Sequence, residues 1–234
     1  MKRFFMIAAA ALISLSLYAG DAAVYEDLGF SQDGKTYLFG QYGKTDKDFQ
    51  GWAEIYTVDV AENDYVKNEV YKTDPKELAK DASGKQAFNT LLERTEWKRS
   101  KYKAHPSKPE ELLYLRETDS KKSTDEIVFR DFESEAERFY RIQLVPEYEG
   151  SGKNVRSKYY IDVKLTTKDG GILDRWKVGT PDLKRKGITS YLIDRIFTSK
   201  DKESLVIVVQ KTLEDDKGTS IRYMVETLRF TGKN

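Results

Sequence analysis

Histidine-based chemistry in this chain would rest on one residue, His105, because its 234 residues include a single histidine and no cysteine. A Ser-His-Asp relay, a histidine-held metal or a histidine general base would each have to use it. It stands in His105-Pro106-Ser107-Lys108-Pro109 with no ligand spacing on either side, so it reads as a surface-loop residue. Without thiols there are no disulfides, thiolate metal sites or cysteine nucleophiles. Carboxylates are plentiful and could supply a glycosidase acid–base pair, but such a pair depends on a separation that only folding sets. Asp33 reads as a turn residue, while Asp59 and Asp162 alternate with apolar neighbours and read as solvent-facing. Asp169-Gly170 and Glu214-Asp215-Asp216 lack the ligand spacing of a calcium loop. Phosphate-loop and nucleophile-elbow patterns are missing, and nothing in the sequence calls for a cofactor.

Aromatic residues are the compositional surplus, with 15 Tyr, 11 Phe and 3 Trp. A pleated sheet favours such side chains and buries them, so the core should take most. The exception is the polar connection entering Gly51-Trp52. A hairpin needs only two linking residues, and this link is several times longer. Asp46, Asp48, Phe49, Gln50 and Trp52 are therefore the expected partner-contact surface. Aromatics in polar company either fold back onto the core or wait for something to cover them.

The elements that would position these residues are mostly strands. Asp33-Gly34 supplies a tight turn, followed by a strand over 36–42 and another over 53–60, with Ile55, Thr57 and Asp59 on one face and Tyr56, Val58 and Val60 on the other. Asp74-Pro75-Lys76-Glu77 has the form of a helix start with a capping box, and Ser83-Gly84-Lys85-Gln86 offers a second. Phe88, Leu91, Leu92 and Thr95 then fall at helical spacing, and His105-Pro106 ends the helical stretch. Residues 110–116 fit a short helix or a strand. After a polar stretch over 118–125, strands are expected at 127–132, 138–145, 158–166 and 172–178, in pairs joined by glycine-containing turns. The class is α+β, mainly antiparallel β as in propeller blades or sandwiches, with a helical segment near 75–102.

The N-terminus reads as an export leader. Met1-Lys2-Arg3 is basic, Phe4 to Leu17 is apolar except for two serines, and small residues cluster at Ala19-Gly20-Asp21-Ala22-Ala23. The apolar run is well short of the ~20 residues that cross a bilayer. Cleavage after Ala19 or Ala22 is expected, leaving a soluble periplasmic or extracellular protein with no stable membrane anchor. That organisation is a leader over 1–22 and one β-rich domain over 23–234 with a helical insertion at about 74–117. The 40 Lys and Arg against 39 Asp and Glu are intermixed. Basic runs such as Lys184-Arg185-Lys186 are short, so nucleic acid is not an expected partner.

The end of the chain echoes its start. Ile196-Phe197-Thr198-Ser199-Lys200-Asp201-Lys202, the run Leu205 to Val209, Gly218 and a tyrosine-bearing strand repeat the order seen from Phe30 to Val60. The stretch from Gly29-Phe30-Ser31-Gln32-Asp33-Gly34-Lys35 to Ile55-Tyr56-Thr57-Val58-Asp59 resembles one blade of TolB-type and WD40-like propellers. From about Tyr25 to Phe230 the chain resembles a family of bacterial predicted secreted proteins classed as a domain of unknown function. That likeness rests on the same opening, Gly51-Trp52 running into Ala53-Glu54-Ile55-Tyr56, and Tyr191-Leu192-Ile193-Asp194-Arg195-Ile196. It implies export and a shared fold, and no activity. The expected function is a non-enzymatic envelope protein that binds an envelope protein or glycan. The alternative is a carboxylate-based hydrolase of envelope glycans.

Overall fold

The computed structural model describes residues 21–46, 48–117, 126–131 and 135–230. The leader expected over 1–22 lies outside them up to residue 20, as does the polar stretch 118–125. The strands are β1 (Asp21–Ala22), β2 (Val24–Phe30), β3 (Thr36–Lys44), β4 (Gly51–Asp59), β5 (Asp64–Lys72), β6 (Leu112–Leu115) and β7 (Ile127–Arg130). They continue as β8 (Arg138–Glu149), β9 (Arg156–Thr167), β10 (Ile172–Val178), β11 (Arg185–Lys186), β12 (Ile188–Thr198), β13 (Ser204–Asp215) and β14 (Gly218–Arg229). Helices α1 (Gly84–Arg94) and α2 (Glu96–Tyr102) lie between β5 and β6. The mainly antiparallel β reading is correct.

Three sheets and the helices form four layers. An N-terminal sheet runs β2-β3-β4-β5, a middle sheet β1-β14-β13-β12-β6, and an outer sheet β10-β9-β8-β7 with β11 against β9. The middle sheet is covered on both faces, and β13 shows why its sequence is a continuous apolar run. Leu205, Ile207 and Val209 pack with Ile142, Leu144, Ile161 and Val163 of the outer sheet. Val206 and Val208, one residue out of phase, pack with Tyr37, Phe39 and Val58 of the N-terminal sheet. The far face of that sheet, through Leu38, Ala53 and Ile55, receives Ala87, Phe88 and Leu91 of α1.

The repeated sequence is a repeated structure. Ser31 Oγ donates to Asp33 Oδ1 (2.6 Å) and accepts from Thr36 N (2.9 Å). Ser199 Oγ likewise donates to Asp201 Oδ1 and accepts from Ser204 N (3.0 Å). The next residue is left-handed in both turns, Gly34 at φ 66° and Lys202 at φ 59°. The two turns touch, Ser204 Oγ donating to Gly34 O at 3.2 Å. The meander β2-β3-β4-β5 has the strand order of a propeller blade, but it lies face to face against the middle sheet.

Several local expectations change. Asp74 does cap, accepting from Lys76 N at 2.9 Å, but only a 3₁₀ turn over Pro75–Glu77 follows. The α-helix starts at the second signal, where Ser83 and Gln86 form a capping box. Residues 110–116 divide between a 3₁₀ turn, Pro109–Glu111, and β6. Strands β2 and β5 carry no clean alternation. β5 is a mostly exposed edge whose buried residue, Glu69, is held by Lys98 of α2. Asp162 is a correction. It is 5% exposed, because Arg175 of the neighbouring strand grips it with two hydrogen bonds (2.6 and 2.9 Å) and Lys164 adds an ion pair at 3.1 Å. A carboxylate so held can be buried, which strand alternation alone cannot reveal.

Candidate functional site

The two repeated hairpins end on the same side of the molecule, and a cleft of about 420 Å³ opens between their tips. On one wall is the connection from β3 to β4, folded by reciprocal bonds between Thr45 and Gln50 (Thr45 N to Gln50 O, 3.0 Å; Gln50 N to Thr45 Oγ1, 3.2 Å). Gly51 lets this wall press onto the start of α1. Its N–H donates to Ala82 O at 3.0 Å, and a methyl there would lie 2.5 Å from Ser83 O. The other wall is the β13–β14 hairpin. A methyl on Gly218 would come within 3.4 Å of Asp46 Oδ2, so the walls nearly meet.

Of the five residues expected from the sequence, Asp46, Asp48 and Trp52 line the cleft. Phe49 stands beside them, 67% exposed and at φ 50°, a left-handed conformation costly for a non-glycine residue. Gln50 turns away, its amide donating to Pro75 O at 3.1 Å.

Trp52 is half-buried and tied down. Its Nε1 donates to Asp21 Oδ1 at 2.9 Å, and its ring lies under the Arg222 guanidinium, 4.1 Å from the ring centroid. Arg222 in turn pairs with the Asp21 carboxylate and donates to Asp21 O at 2.7 Å. Asp21, Trp52 and Arg222 therefore close one end of the cleft as a unit. Two residues along β4, Glu54 meets Lys72 at 2.7 Å and accepts from Gln41 (3.0 Å) and from Tyr56. Burial alone would raise the Glu54 carboxyl, but Lys72, Tyr56 and Gln41 together hold it below its ordinary range. Thr45, Thr73, Thr219 and Ser220 add hydroxyls to the lining, and Lys217 a further cation.

Sequence reasoning missed Asp21, Glu54, Lys72, Lys217 and Arg222. The signal was the repeat itself: matching hairpins in facing sheets place matching loops at one end. His105, exposed in its loop, lines a separate cavity of about 560 Å³ beside the two paired turns. Among the described residues no group of three or more histidines, aspartates or glutamates is placed to hold a metal ion.

Residues 38–229 match the model of a family described as a predicted secreted protein (DUF2259). The chain belongs to this family. Its matched span takes in most of β3, β4 to β14 and the two loops that wall the cleft, but not β1, and export agrees with the leader read from the first residues. Among the described residues no helix is long and apolar enough to cross a membrane. Neither the curated proteins nor the solved structures contain a match to the chain.

One carboxyl stands out elsewhere. Glu226 of β14 is 4% exposed, accepting from Tyr159 Oη and from Asn63 Nδ2 at 2.6 Å. Burial pushes it above the ordinary glutamate range, only partly opposed by those two bonds and by Arg185. It does not line the cleft.

Proposed function

We propose that this exported chain is a non-enzymatic binding protein of the cell envelope, and that its cleft receives a glycan. The observation that supports this is the cleft lining. The Trp52 ring with its Arg222 cover, four hydroxyls and charges of both signs converge on a space of about 420 Å³, within the range of small-ligand sites. Asp21 pairs with Arg222 and Glu54 with Lys72, which leaves Asp46, Asp48, Asp215 and Lys217 as the other charges of the lining. A hydroxyl-rich ligand of low net charge suits such a lining better than a strongly charged one. The test is binding of the mature protein to peptidoglycan sacculi and soluble muropeptides, by pull-down and thermal shift. Binding lost in an Asp46→Ala/Asp48→Ala variant of unchanged melting temperature is the expected result. No binding to these glycans, or capture of an envelope protein alone, counts against it.

The hydrolase alternative has one observation in its favour, the elevated Glu226 carboxyl. That residue is engaged by Tyr159 and Asn63 and lies outside the cleft lining. Reducing-end release from the same glycans, abolished by Glu226→Gln, would replace the binding proposal with this one.

A further inference from the structure

We infer that the leader is cut between Ala19 and Gly20, so that the mature protein keeps Asp21 as the clasp of the cleft. The small residues before the cut favour the later site, and the folded chain weighs against it. Cleavage after Ala22 places Gly20 at the third-from-last leader position, whereas cleavage after Ala19 places the bulkier Leu17 there. The folded chain distinguishes the two.

Asp21 and Ala22 form β1, parallel to β14, with Asp21 beside Ser220 and Ala22 beside Ile221. The Asp21 carboxylate accepts from Trp52 Nε1 and pairs with Arg222, while its carbonyl accepts from Arg222 Nη1. The side chains of Asp21 and Arg222 are 13% and 21% exposed, so water replaces little of what the pair supplies. A cut after Ala22 would discard the strand, the carboxylate and the carbonyl together. Arg222 would keep the Ile221 carbonyl (2.9 Å) and the face of Trp52, with its counter-charge gone.

The same cut would create a new ammonium on Ala23. That residue is 7% exposed, and its nitrogen donates to Ile221 O at 3.0 Å. A charged terminus in so covered a position is costly. A cut after Ala19 leaves the ammonium on Gly20, before the first residue of β1. The inference concerns maturation and holds whichever ligand the cleft takes.

The experiment is export of the full chain from a bacterial host, followed by intact-mass measurement and N-terminal sequencing of the released protein. A start at Gly20 is expected. Any other start, Ala23 above all, or an uncut chain overturns the assignment. The reason behind it is tested separately with proteins made without a leader and beginning at Gly20 or at Ala23. The shorter form should melt lower by roughly 4–10 °C. Asp21→Ala in the longer form should reproduce most of that loss, and Asp21→Asn, which keeps an acceptor for Trp52, should lose less. Equal melting temperatures for the forms starting at Gly20 and Ala23 would overturn the clasp.

Discussion

Trp52 shows how one side chain can serve fold and site together. Its ring is held by Arg222 and its Nε1 by Asp21, so it is both folded back and part of the cleft wall. Trp52→Ala is expected to cost about 2–4 kcal/mol, from lost packing, stacking and one hydrogen bond. Trp52→Phe keeps a ring under Arg222 and should cost about 1 kcal/mol. Urea unfolding measures both, and an unchanged midpoint for the alanine variant would show that the ring carries no structural role. Glu226 and Asp162 are buried carboxyls with opposite pH behaviour. Glu226 is raised by burial, so the folded state holds its proton where the unfolded chain has released it. Stability therefore falls as pH rises from the ordinary carboxyl range through the folded value. At Asp162 burial also works upward, but Arg175 and Lys164 outweigh it and hold the group low. Its contribution is present at neutral pH and is lost as pH falls through the folded value. Glu226→Gln should thus gain stability of about 1 kcal/mol at neutral pH, and Asp162→Asn should lose about 1–3 kcal/mol. Both differences should shrink in acid. Melting curves from about pH 3 to 8 test the signs, and curves parallel to the parent's would contradict them.

At the scale of elements, the paired turns put one backbone demand on two different residues. Gly34 at φ 66° adopts the left-handed conformation at no steric cost, whereas Lys202 at φ 59° carries a Cβ into it. Lys202→Gly should therefore be neutral to about 1 kcal/mol stabilising. Gly34→Ala should cost about 1–2 kcal/mol, since its methyl would also sit 3.2 Å from the Asp201 carboxylate. The pair of variants, compared by denaturant midpoint, checks that the equivalence is physical; equal effects in both would refute it. The helices are attached to the sheet in two distinct ways. α1 presents an apolar face to β3 and β4, and α2 inserts Lys98 against Glu69 of β5. Only the first mode leaves a periodic trace in the sequence.

At the scale of the molecule, β13 is the strand most enclosed by others. It is paired on both edges, with β12 and β14, and packed on both faces. Its amides at 205–209 should exchange with solvent only on global unfolding, and more slowly than those of β5 or β10. Hydrogen-exchange mass spectrometry resolves this, and faster exchange in 205–209 than in the edge strands would contradict the layered arrangement. The cleft belongs to the same scale. No single element contains it, because its walls come from β1, from the β3–β4 connection and from the β13–β14 hairpin.

What the residues determined by themselves is local and periodic. Alternation located β4, β8 and β9, the Asp33-Gly34 turn located β3, the Ser83–Gln86 capping box located α1, and the repeated order of turn, apolar strand, loop, glycine and strand announced β13 and β14, since each signal depends on neighbours within a few positions. The continuous apolar run of β13 showed a strand but could not say which sheets would cover it. Asp162 looked solvent-facing because its partner Arg175 is on another strand, and alternation carries no information about cross-strand charge. Asp48 and Trp52 could be singled out from a long polar loop, whereas Asp21 and Arg222, 201 positions apart, could not be paired before folding. Only the tertiary structure brought those two together, because the parallel register of β1 on β14 is set by layers whose contacts span the whole chain. Hydrophobic burial specifies which faces meet without naming the charged residues that arrive at their rims, so the core was legible in advance and the cleft only along its β3–β4 wall.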